Sequence, residues 1–461
     1  MSYLYPRRRG TNPAAVILLI AAGVAAGLGA AFLAFSPRIV SLSPEADART
    51  GSYAAVEIRF SSPMGEGCTA DHFSISPAVE GALTVEGSTL RFAPGEPWPA
   101  GSNVVVTIRS GACGGRGLPL LAGRSWSFTP TLVRVAYVPI DASAGRLMEI
   151  AADGGDPEVL ATSDSPIRNF DVSPRGDFAV FSTAPSAGPG GLWITRLDGG
   201  PAESLLDCGE DSCRDPAVSP DGSRVAFVRE QLPSQSAHPP QVQLLDIAGG
   251  GVRTVSQAGN AAGNPAWTAQ GWLSYYDATR LVTVVDDLAG GRTVVPNPAG
   301  NSWSFLPDGS SLILPEILVE EEVVEETDRT SPRIFSRLIR VELKSNRRTN
   351  LSGEDLLEDL FPAVSPDGRF VAFARNFFDD RWTPGSQLWI MDLEDLTARQ
   401  ISLAPDYSHS SIHWSRDGSR LVYMLFHETV PSDPPEIWIV DADGANPRRL
   451  VVGGFLPQWL P

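Results

Sequence analysis

One short stretch, repeated along the chain, limits what the protein can fold into. Phe361–Phe373, FPAVSPDGRFVAF, ends an apolar run in Ser-Pro-Asp-Gly and begins a second, alternating run at once. Two strands joined by an Asp-Gly turn make a β-hairpin, and the glycine supplies the positive φ of a tight reversal. The pattern returns as RNFDVSPRGDFAVF from Arg168, DPAVSPDGSRVAFV from Asp215, NSWSFLPDGSSLIL from Asn301 and SIHWSRDGSRLVYM from Ser411. NPAWTAQGWLSYY from Asn264 is a degraded copy. The closing LPQWLP from Leu456 reads as the first strand of one more, cut at its turn.

The residues at the turn position are Ser173, Ser219, Thr268, Leu306, Ser365, Ser415 and Leu460. They recur roughly every 40–50 residues, the period of a β-propeller whose blades hold four strands each. A second strand pair follows the hairpin, as in GLWITRLDGGPAESLL from Gly191, QLWIMDLEDLTARQIS from Gln387 and EIWIVDADGANPRRLV from Glu436. Over about 132–461 these motifs resemble the TolB-like family of WD-type propeller repeats. The resemblance implies a disc of blades and an envelope scaffolding role, although a shared fold does not transfer function. TolB-like propellers commonly have six blades. Here Leu132–Ala161 reads as the second, third and fourth strands of a blade whose first strand is the C-terminal LPQWL. Seven blades are therefore expected, closed by placing Trp459 beside Val135, which also removes an exposed sheet edge. Merging the weak Asn264–Pro296 unit with a neighbour would give six.

Residues 37–130 form a separate block. Runs of period two at AAVEIRF, GALTVEG, NVVVTIR and RSWSFTP alternate with Gly/Pro turns, as in a small β-sandwich. The opening PRIVSLSP, EIRFSSPM, STLRFAPGEPWPAG and closing SWSFTP resemble the bacterial Ig-like domain of S-layer and other envelope proteins. Before it, residues 1–12 carry Arg7, Arg8 and Arg9, and residues 13–35 hold no charge. Such a stretch is long enough to span a bilayer as a helix, and the arginines would keep the N-terminus cytoplasmic. The expected class is all-β: an N-terminal transmembrane helix acting as an uncleaved signal anchor, an Ig-like sandwich, then a seven-bladed propeller, with the bulk of the chain extracytoplasmic at the cell membrane. A cleaved signal peptide is the alternative, with Gly29 and Ala31 as small residues near a cleavage point. The net charge of −18 argues against nucleic acid, which needs clustered cations.

Four cysteines fall in two pairs, Cys68 with Cys113 and Cys208 with Cys213, each within one block. Even numbers in an exported chain point to two local disulfides. Zinc is the competing use, but CxxC spacing is absent.

The unequal loops carry the functional reading. In a four-stranded meander one face of the disc receives the tight hairpin turns, and the other receives the second-to-third loops and the blade connections. The second face takes the insertions 229–240, 315–333, 375–386 and 426–435, together with Asp and Glu from 208–215, 352–360 and 402–411. Long loops on a rigid scaffold are the usual place for binding. Phe377, Phe378, Asp379, Asp380, Trp382 and Tyr407 are the candidate contacts for a protein, peptide or glycan of the envelope. His409 and His413, four apart at the start of an inner strand, would share a face and could hold a metal with Asp406; a polar pair lining the channel is the plainer reading. The acidic run 316–327 reads as one strand of an extended hairpin with a solvated face. No Gly-x-Ser-x-Gly elbow, following hydrolase domain or phosphate loop marks a catalytic centre, and no cofactor is expected. The competing hypothesis is a propeller lyase or hydrolase acting on carbohydrate or peptide at the channel mouth.

Overall fold

The computed structural model describes residues 35–460, apart from 51–53, 116, 131, 142–144, 184–189, 198–199, 232–237, 301 and 325–328, together with 23, 24, 27 and 32. The basic segment 1–12 and most of the apolar stretch 13–35 lie outside the described residues. Among the described residues no helix is long and apolar enough to cross a membrane. The chain divides into two compact units, the first built mainly from 55–94 and 103–128 and the second mainly from 129–460.

The first unit is a pair of four-stranded sheets. One runs in the order Ile39–Ser43, Val56–Phe60, Thr89–Pro94, Gly81–Glu86. The other runs Arg49–Thr50, Arg124–Pro130, Val104–Ile108, Phe73–Ser76. Alternation decides which side chains go inside: Val56, Ile58 and Phe60, Val104, Val106 and Ile108, and Trp126 and Phe128 are buried, with outward residues between them. A short helix, α1 (Glu66–Ala70), carries Cys68, which is bonded to Cys113.

The second unit holds seven four-stranded antiparallel meanders, each running from inner to outer edge; five are separate sheets, and the fifth and sixth join through one parallel pairing, Ser336 with Glu358, into a single eight-stranded sheet. Blade 1 runs Gly454–Leu460, Arg134–Pro139, Arg146–Ala151, Glu158–Thr162. Its first strand comes from the far end of the chain, and Trp459 pairs with Val135 across it. Blades 2 to 7 have their inner strands at Ile167–Val172, Ser212–Val218, Ala262–Trp267, Ser304–Phe305, Leu357–Val364 and Tyr407–Trp414. The Asn264 unit is a full blade, so six blades are ruled out. Blade 5 is the irregular one: Ser311–Val324 and Arg329–Glu342 pair along 14 residues each, the extended hairpin that the acidic run implies.

The second strands are apolar on both sides, as in Val225–Val228 and Val371–Ala374, because each blade lies between two others. Seven buried clusters result, one for each junction between neighbouring blades. A polar link accompanies each cluster. Indole Nε1 groups donate from Trp267 to Ala217 O (3.0 Å), Trp414 to Ala363 O (2.8 Å) and Trp459 to His413 O (3.0 Å), and from Trp303 to Ser274 Oγ (3.1 Å). The other three junctions use Val218 N to Asp171 Oδ2 (2.7 Å), Val364 N to Ser304 Oγ (3.0 Å) and Gln458 Nε2 to Phe170 O (3.1 Å).

The Ser-Pro-Asp-Gly turns show why that tetrapeptide recurs. Ser219 Oγ donates to Asp221 Oδ1 at 2.6 Å and accepts from Arg224 N at 2.9 Å, while Asp221 Oδ1 also accepts from Ser223 N at 3.1 Å. Gly222 has φ 68°, the left-handed region that glycine enters without penalty. Ser365/Asp367/Gly368 and Ser415/Asp417/Gly418 repeat the arrangement. These aspartates hold turns, as Asx residues do.

Candidate binding face

The long connections gather on the face opposite the tight turns, where second-to-third loops bond to blade connections. Gly385 N donates to Pro405 O, Glu428 N to Asp406 O and Cys208 N to Gly190 O. Cys208 and Cys213 are disulfide-bonded in the connection from blade 2 to blade 3.

The most elaborate part of this face lies on blades 6 and 7. Arg375, near the end of the second strand of blade 6, is buried and makes two bonds of 2.7 Å to the carboxylate of Asp359 on the inner strand. Asp359 is fully buried and also accepts from Ser352 Oγ. Burial pushes its pKa up against the opposing pull of Arg375 and Ser352. The guanidinium lies among three rings, 4.9 Å from Phe373, 5.3 Å from Trp389 and 5.7 Å from Phe377. This pair fixes the base of the loop 378–386. At the tip, Arg381 bonds to Asp379 and to Asp355 (3.1 Å) while stacking 3.7 Å over Phe377. The Arg381 hydrogen bonds hold the Asp379 pKa down at about 2.

The sequence candidates separate into exposed and supporting groups. Trp382 is 57% exposed, and Asp379 and Asp380 are exposed beside it. Phe377 is buried, edge-on to Trp389 at 5.7 Å, so it supports the loop and presents no surface. Phe378 is half-buried, 6.3 Å from the Phe335 ring. Tyr407 is half-buried, donates to Asp433 at 3.0 Å and lies 4.8 Å from the His427 ring.

His409 and His413 do not meet as a same-face pair. Ser411 adopts φ 47° and creates a bulge, since the partner advances two residues between Ser410↔Met424 and His413↔Val422 while this strand advances three. The extra residue reverses the alternation. His409 turns into the protein, stacked 5.3 Å from Tyr423 with Nδ1 2.8 Å from Ser386 O, and burial pulls its pKa down to about 4. His413 is exposed on the inner strand. Asp406 is exposed in the preceding connection. Among the described residues no group of three or more His, Cys, Asp or Glu is placed to hold a metal.

Sequence reasoning placed Glu358 and Glu428 on this face only as members of the connections 352–360 and 426–435, and missed that they interact. Glu358 is half-buried on the inner strand of blade 6, and its pKa is raised by burial, then by the charges of Glu428 and Asp359. Glu428 accepts from Ser408 Oγ. They lie far apart along the chain, and neither belongs to a motif. A recess of about 420 Å³ opens on the same face between blades 1 and 2, lined by Thr162, Ser163, Asp164, Trp193, Ser204 and Asp207 among others.

Comparison with known proteins bears on both units. The family "bacterial Ig-like domain" matches residues 35–130. The first unit is a bacterial Ig-like domain. Solved structures similar to the chain include TolB from Acinetobacter baumannii, 14% identical, covering 85% of this chain and 83% of that one with a TM-score of 0.43. A prolyl endopeptidase structure, 13% identical, covers 69% of this chain and 48% of that one with a TM-score of 0.50. At 13% identity the likeness to the prolyl endopeptidase is one of fold alone. Among curated proteins, the "uncharacterized peptidase YuxL" of Bacillus subtilis is 24% identical over 197 residues. That match covers 36% of this chain and 30% of YuxL, so the chain spans under a third of that relative's length.

Proposed function

We propose that the protein is a binding scaffold of the cell envelope, held to the membrane by its N-terminal apolar segment, that recognises a protein, peptide or glycan through the long-loop face of the propeller. One observation carries the reading. Trp382 stands exposed at the tip of a loop fixed beforehand by Arg381, Asp379 and Asp355 above the buried Arg375–Asp359 pair. An aromatic anchor that is already ordered loses little entropy on binding, and such residues dominate interface energetics. The carboxylates around it favour a partner with basic or hydrogen-bond-donating groups, and the recess at Trp193 suits a polyhydroxylated one. The test is capture by the full-length protein from envelope extracts, beside Trp382→Ala and Asp380→Lys. A component retained by the wild type and lost from both variants is expected. Equal retention by all three would remove the face from consideration.

A second reading has its own support: the raised pKa of Glu358 beside Glu428 is the environment of a general acid at a channel mouth, and both YuxL and the prolyl endopeptidase are named as peptidases. Turnover of a peptide or oligosaccharide that disappears in Glu358→Gln, with partner capture unaffected, would favour this enzyme.

A further inference from the structure

The Ig-like unit differs in charge from the chain as a whole. Residues 37–130 hold seven arginines against eight aspartates and glutamates, in a chain whose net charge is −18. Two of those arginines stand at one place. Ile108 pairs with Arg124 across neighbouring strands and Arg109 follows Ile108, so both arginines line one open groove of about 640 Å³. His72, Thr107, Ser110 and Ser125 line it too, and no carboxylate does. Gly123 sets the spacing. A Cβ there would lie 2.6 Å from Ile108 O and 2.7 Å from Ser110 N, so only glycine lets the two backbones come this close.

Neither arginine is neutralised by the fold. Arg109 Nη2 donates to Asp71 O at 2.7 Å, a bond that steers the guanidinium and leaves its charge. Among the described residues no carboxylate lies within 4 Å of the Arg109 or Arg124 guanidinium, whereas Arg91 in the other sheet is 3.4 Å from Glu57. Like charges on neighbouring strands repel, so the arrangement is destabilising until an anion joins it.

We infer that this groove binds the oxyanion groups of an anionic glycan. Guanidinium forks match the oxygens of carboxylate and phosphate, and two of them together can hold successive charged units of one chain. Thr107 Oγ1 and Ser125 Oγ, 2.9 Å apart, each keep a lone pair to accept from a sugar hydroxyl. The His72 ring is fixed beside them: Nδ1 donates to Cys68 O at 2.7 Å, and a Cβ on Gly111 would lie 2.9 Å from Nε2. An open groove suits a polymer passing through it, since a small ligand is usually enclosed by a deeper pocket. This surface belongs to the Ig-like unit and does not rest on the role of the propeller loops.

The test uses the full-length protein in detergent with three fluorescently labelled oligomers of equal length: a glucuronate oligomer, phosphorylated dextran and neutral dextran. Anisotropy is expected to show saturable binding of one or both anionic oligomers, which separates carboxylate from phosphate, and none of neutral dextran. Arg124→Gln should weaken binding about tenfold, or 1.4 kcal/mol. The double variant Arg109→Gln/Arg124→Gln should abolish it, while Trp382→Ala should bind as the wild type does. Arg124 is exposed, so Arg124→Gln alone decides if circular dichroism shows the double variant misfolded. Absence of saturable binding to either anionic oligomer, equal binding of neutral dextran, or undiminished binding by a folded arginine variant overturns the inference. Loss of binding in Trp382→Ala would overturn it too, by moving the glycan to the propeller.

Discussion

The two faces of the ring are built from the same strands but held by different means. On the tight-turn face, Ser, Asp and Gly recur at the same turn positions and satisfy the same backbone groups, as at Ser219–Arg224, Ser365–Phe370 and Ser415–Arg420. The order there is local, completed within six residues. Among the described residues of the long-loop face, order comes from partners farther along the chain: Arg375 with Asp359, Arg381 with Asp355, Tyr407 with Asp433. A face of identical turns can be stable without being specific. A face whose loops are fixed one by one can differ at each blade, which recognition requires.

Substitutions should separate the two by size of effect. Arg375→Ala leaves Asp359 buried without its cation and should cost about 3–5 kcal/mol in denaturant unfolding; a smaller loss would mean that the loop face is not anchored there. Acid is the next largest perturbation. The folded pKa of His409, about 4, lies below its ordinary 6.5, so the unfolded chain takes the proton first. Stability from the neutral ring is then complete above pH 6.5 and lost as pH falls toward 4, by up to about 3 kcal/mol. His409→Gln should flatten that part of the stability–pH curve. Asp171 opposes this slope: burial raises its pKa to about 7, so stability falls as pH rises from about 4 to 7. It is only half-buried by accessible surface, and water at the inner strand reduces its share.

Trp459→Ala removes an indole and its link to His413 O at the seam between blades 7 and 1, with an expected loss of about 2 kcal/mol. On the tight-turn face, Asp367→Ala should cost about 1 kcal/mol, the worth of its hydrogen bonds to Ser365 and Arg369 N. The smallest change is expected from Trp382→Ala, within about 0.5 kcal/mol of wild type. If that variant were strongly destabilised, the exposed loop would be structural and the contrast between faces would collapse.

Much of the fold was legible because its signals are local. Asp-Gly turns, period-two runs and their spacing marked out each blade, including the weak one at Asn264, and LPQWL identified the closing strand. The site was legible only in part. His409 and His413 were expected on one face because alternation was counted straight through Ser411, where the bulge adds a residue. The signal was nonetheless present. Asp215, Asn264, Phe361 and Leu456 occupy the same column as Ser411, have positive φ and are each followed by proline. Phe377 reads from the sequence as a surface residue of the insertion 375–386, whereas it ends the strand Phe370–Phe377, with Arg381 above it and Trp389 beside it. The coupling of Glu358 with Glu428 carried no sequence signal, since it arises between blades 6 and 7.

The sequence by itself determined the architecture, because hairpins, turns and disulfide partners are specified by residues close together in the chain or confined to one unit. Only the tertiary structure decided what stands at the loop face and at the seam. Which carboxylate feels another's charge and which aromatic is covered both depend on neighbouring blades. Those contacts join residues tens to hundreds of positions apart, and no short-range pattern records them.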